Sequence, residues 1–70
     1  MKEVLYSMCG GNRRGYKGTK EELPMIISKS REFCLEMNGD MGDIDYIGRN
    51  LARLKPESDG LYEVTFWSKW

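Results

Sequence analysis

Leu61-Tyr62-Glu63-Val64-Thr65-Phe66-Trp67-Ser68 is the stretch on which the fold turns. Tyr62, Val64 and Phe66 fall on one side of an extended chain, and Leu61, Glu63, Thr65 and Trp67 on the other. Period-two alternation in a segment rich in aromatic and β-branched side chains is the pattern of a strand with one face packed on a core. Glu57–Gly60 before it reads as a turn.

Upstream of that turn the period changes. Ile44, Ile47, Gly48, Leu51 and Leu54 recur at helical spacing, which predicts a helix from about Asp43 to Lys55, closed by Pro56. Asp43 and Asp45 stand at its start and Arg49, Arg53 and Lys55 toward its end, the order that complements the helix dipole. A second helical pattern precedes it: Leu23, Ile26, Ile27, Phe33, Cys34 and Met37, with Ser30 on the same stripe. Thr19 and Glu22 have capping-box spacing. Pro24 favours a start between Glu21 and Leu23, where its missing N–H costs nothing. Asn38-Gly39 is a stop signal.

At the other end, Val4, Tyr6 and Met8 alternate with Glu3 and Ser7, with Leu5 the exception, so Lys2–Met8 reads as a strand. Cys9-Gly10-Gly11-Asn12 is a turn signal. Arg13–Thr19 either returns as the second strand of a hairpin or stays a loop, and the hairpin is the expectation. The fold class is then α+β, a small β(β)ααβ domain with two or three antiparallel strands packed against two helices. If the helices form an antiparallel hairpin, the first and last strands are expected side by side and antiparallel. So small a sheet leaves free edges, and a homodimer through them would relieve a small core.

The chain has 70 residues, enough for one domain. Eleven basic and eleven acidic side chains balance to zero, yet unevenly. Residues 1–20 carry an excess of four positive charges and residues 21–45 an excess of five negative ones. Two cysteines are too few for a disulfide-built secreted domain, and no apolar run of about 7–15 residues follows Met1 as in a signal peptide. No stretch approaches a membrane span. A reducing cytoplasm with both thiols free is the expectation; the alternative is one Cys9–Cys34 bridge.

The composition also bears on chemistry. Histidine is absent, which removes the commonest general base and the commonest metal ligand. Cys9 and Cys34 cannot complete a four-ligand zinc site within one chain. Three loop patterns come close to known chemistry and fail at named positions. For a phosphatase loop starting at Cys9, Arg14 arrives one residue early and Gly15 holds its place. For a phosphate-binding G-x-x-x-x-G-K-[ST] loop starting at Gly10, Gly15 fits, but Tyr16 and Gly18 interrupt the Lys and Thr. For a calcium loop through Asn38, Asp40 and Gly42, the closing acid falls on Gly48. Neither a catalytic residue, a cofactor nor a metal is therefore assigned.

What remains is contact. Arg13, Arg14, Lys17 and Lys20 interleave with glycines and Tyr16, while Trp67 and Trp70 lie near the end of the last strand. The expectation is a non-enzymatic protein-binding module, an accessory or inhibitor protein occluding a larger, acidic-faced protein. Size alone suggests the small accessory proteins of bacteriophages. Basic residues would form rim ion pairs, with Tyr16, Trp67 and Trp70 as buried anchors. The alternative is nucleic-acid binding through residues 13–20, where basic groups track phosphates and Tyr16 stacks on a base.

Overall fold

A computed structural model describes residues 1–69. Trp70, and with it the anchor role expected there, lies outside the described residues. The elements run β1 (Lys2–Met8), β2 (Gly11–Gly18), a 3₁₀ turn (Lys20–Glu22), α1 (Leu23–Glu36), α2 (Met41–Arg49), a second 3₁₀ turn (Leu51–Arg53) and β3 (Tyr62–Ser68). The α+β class and the ββααβ order follow the sequence, and residues 13–18 lie within a full strand.

The strand order differs from expectation. β1 and β3 are not neighbours: β2 lies between them and pairs antiparallel with both. The tight turn at Cys9-Gly10, with Gly10 at φ +84°, returns β2 directly along β1. β3 then adds to the free side of β2, so β1 and β3 run parallel to each other, one strand apart.

α1 begins where the proline permits. Thr19 N–H donates to Glu22 Oε1 at 2.9 Å, and Pro24 occupies the first turn. The helix ends in a Schellman motif: Asn38 takes φ +53°, Asn38 N–H bonds Leu35 C=O, and Gly39 N–H bonds Cys34 C=O at 2.8 Å. Asn38 supplies the left-handed residue. Gly39 is needed for another reason, since a Cβ there would lie 2.5 Å from the Phe66 ring.

α2 starts two residues before the expected Asp43, capped by Asp40, whose carboxylate accepts from Gly42 N–H at 3.0 Å. It also stops earlier than expected, at Arg49. The Asn50 amide donates to Tyr46 C=O at 2.7 Å, and the chain tightens into a 3₁₀ turn. Leu51 remains exposed, so the apolar period ran on past the surface that could bury it.

α1 packs on β2 and β3, and α2 packs on β3 and α1. Ile26, Cys34, Ile44, Val64 and Phe66 form the buried centre. Full burial of a side chain such as Phe66 contributes about 1.5–3 kcal/mol. Phe33 sets its ring edge-on to Phe66, with centroids 5.5 Å apart. Ser30 is buried too, and its hydroxyl donates to Val64 C=O at 3.3 Å. No helix among the described residues is long and apolar enough to cross a membrane.

Candidate functional site

Directly paired residues in a sheet share a face. Val64 and Phe66 point at the helices, so their partners Tyr16 and Arg14 do as well, and through them Glu3 and Leu5. The opposite, open face takes Val4, Tyr6 and Met8 from β1, Arg13, Gly15 and Lys17 from β2, and Glu63, Thr65 and Trp67 from β3.

This register divides the basic segment. Arg13 and Lys17 stand on the open face with Trp67, whereas Arg14 and Tyr16 belong to the helix face. The Arg14 guanidinium lies 5.9 Å from the centroid of Phe33, and Tyr16 is 5.9 Å from the same ring. Burial is the main cause that pushes the Tyr16 hydroxyl pKa up. Arg14 Nε is buried and has no hydrogen-bond partner among the described residues. Lys20 lies in the exposed 3₁₀ turn before α1. The expected contact residues thus do not form one patch: Arg13, Lys17 and Trp67 come together, Arg14 and Tyr16 turn away, and Lys20 stands apart.

Two cations of the open face, Lys17 and Arg13, are matched from within. Lys17 Nζ lies 2.6 Å from Asp59 Oδ2, which brings the 54–61 loop to the end of β2. That bond raises the Lys17 pKa and lowers that of Asp59, which also accepts from Leu61 N–H. Arg13 Nη1 stands 3.5 Å from both Asp43 Oδ2 and Thr65 Oγ1, and Thr65 is buried. The Tyr6 hydroxyl donates to Glu63 Oε2 at 2.6 Å, and this bond raises its pKa.

Gly15 lies between the partners of that last bond. Tyr6 pairs with Arg13 and Glu63 with Lys17, so the line from Tyr6 to Glu63 crosses β2 at position 15. A Cβ there would run into the Val64 carbonyl. The Trp67 ring lies over Gly11, within 2.6 Å of where a Cβ would stand.

The face is therefore broad and shallow, aromatic at Tyr6 and Trp67, with apolar Val4 and Met8 beside them. Tyr6 and Met8 are 44% and 51% exposed, which makes them available for contact. Sequence reading recognised the alternation of Val4, Tyr6 and Met8 but gave them no role. Their signal was membership of the same face as Trp67, visible only once β2 is known to lie between β1 and β3.

The thiols are unbonded. Cys9 is exposed on the β1–β2 turn; Cys34 is buried, and burial pushes its pKa up, away from the reactive thiolate. Among the described residues no group of three or more Cys, Asp or Glu side chains could hold a metal ion. No family model, curated protein or solved structure matches the chain.

Proposed function

We propose that this chain is a non-enzymatic protein-binding module that docks the open face of its sheet onto a larger protein and occludes it. The observation that carries this reading is the pairing on that face. Tyr6 and Met8 are exposed there and Val4 and Trp67 half-buried, while Arg13, Lys17 and Tyr6 already meet Asp43, Asp59 and Glu63. A surface whose Arg13 and Lys17 are already paired with carboxylates suits another protein's mixed surface better than a polyanion. Tyr6, Met8 and Trp67 supply the anchors, and Arg13 and Lys17 belong to the rim. The accessory or inhibitor role belongs to this proposal, as does the acidic character of the target near Arg13.

The nucleic-acid reading keeps one supporting observation, that Lys2, Arg13 and Lys17 share a face with Tyr6 and Trp67. One experiment separates the two. The tagged chain is used to capture partners from a lysate with and without nuclease, beside a Tyr6→Ala/Met8→Asp variant. A captured protein that survives nuclease, is lost by the variant and binds again when purified supports docking through this face. Release by nuclease, with a low-salt shift of a labelled oligonucleotide, moves the assignment to nucleic acid. Equal capture by the variant removes the open face from consideration.

A further inference from the structure

The two outer edges of the sheet are finished differently. On β3, Trp67 N–H donates to Asp43 Oδ2 and Trp67 C=O accepts from Asp40 N–H, both at 2.8 Å. The start of α2 thus caps that edge at Trp67. On β1 no described residue pairs with the outward peptide groups.

Which groups face outward follows from the alternation of an antiparallel ladder. Trp67 turns both its N–H and its C=O away from β2. Its partner Arg13 must then turn its own toward β1, where it meets Tyr6. Tyr6 therefore bonds inward, as do Lys2, Val4 and Met8. Glu3, Leu5 and Ser7 direct their N–H and C=O groups to the free edge.

We propose that β1 pairs antiparallel with β1 of a second copy, about a two-fold axis through Leu5. Leu5 then lies opposite the same residue of the second copy, and Glu3 lies opposite its Ser7. All three outward residues find outward partners, giving three doubly hydrogen-bonded pairs. A slip of one residue would set outward groups against inward ones and turn the helices of the two copies to opposite faces. A slip of two leaves one end of each strand outside the ladder. The chosen register places no like charges opposite each other: Lys2 faces Met8, and Val4 faces Tyr6. It also covers Leu5, which is 56% exposed in one chain although it lies on the helix side of the sheet. The product is a continuous six-stranded sheet with all helices on one side and two open faces joined on the other. This pairing uses the edge and not the face, so it stands apart from the proposed docking.

Sedimentation equilibrium at submillimolar concentration tests it. The expected mass is twice the 8.1 kDa of one chain. Leu5→Lys and Leu5→Glu should each halve that mass with an unchanged circular dichroism spectrum, because like charges now face each other across the axis. Mixing the two in equal amounts should restore the doubled mass. Met8→Asp should remain dimeric. Amide exchange at Glu3, Leu5 and Ser7, but not at Val4 and Tyr6, should slow as concentration rises. A wild-type mass of 8.1 kDa overturns the proposal. So does a doubled mass in both charge variants, or a mixture of them that stays monomeric.

Discussion

β1 and β3 are strands of equal length, seven residues each, and both alternate apolar with polar side chains, yet they have opposite fates. In β3, Val64 and Phe66 are fully buried beneath α1 and α2, and the outer edge is capped at Trp67 by Asp40 and Asp43. In β1, Leu5 points to the same side of the sheet as Phe66 and remains largely exposed. Alternation therefore gives a strand its two faces but does not decide whether either is covered. Coverage depends on where the helices land, and they land on β2 and β3.

This contrast can be tested from its strongest side downward. Phe66→Ala should cost about 3–5 kcal/mol, because it empties the centre of the core beneath two helices. Denaturant unfolding measures it; a loss below about 1 kcal/mol would mean that β3 is no better anchored than β1. Asp43→Ala should cost about 1–3 kcal/mol, since Trp67 N–H at the capped edge loses its acceptor. Its amide exchange should accelerate to the range of an unprotected edge, and unchanged protection would show that α2 does not cap β3. Gly39→Ala brings a Cβ against Phe66, a clash expected to cost about 1–3 kcal/mol in the same titration.

A smaller effect concerns the Lys17–Asp59 pair. The Asp59 pKa is lowered from 3.8, first by Lys17 and then by Leu61 N–H. Its contribution is present above that ordinary value and is lost as pH falls through the lower folded one. Lys17 has the opposite sign: its pKa is raised from 10.5, so its contribution is lost as pH rises through the higher folded value. Asp59→Asn should therefore flatten both limbs of a plot of unfolding midpoint against pH, and an unchanged plot would remove this ion pair from the account. The smallest change is expected in β1. In solution dilute enough to hold single chains, Leu5→Thr should shift stability by no more than about 0.5 kcal/mol. A large loss there would erase the contrast between the strands.

Much of this was legible. The Tyr62–Ser68 strand, the apolar stripe of α1 and the proline-limited helix start all rest on interactions between near neighbours, and they appear where the residues predict. The α2 boundary differs because Leu51 continues the helical period after the surface that could bury it has ended. The candidate site was harder to see. Arg13 and Arg14 are adjacent in sequence, but in a strand adjacent residues point to opposite faces, so a basic cluster along the chain became two unrelated positions. Asp43 and Asp59, which pair with Arg13 and Lys17, and Glu63, which accepts from Tyr6, are distant in sequence from the groups they meet.

The sequence by itself determined the kinds of element and their order, because periodicity, caps and turn residues act over a few positions. Only the tertiary structure decided that β2 lies in the middle, that α2 caps β3 at Trp67 and leaves β1 open, and that Tyr6 reaches Glu63 across Gly15. Those outcomes depend on pairings between distant segments, and local periodicity does not specify which distant strand a given edge will meet.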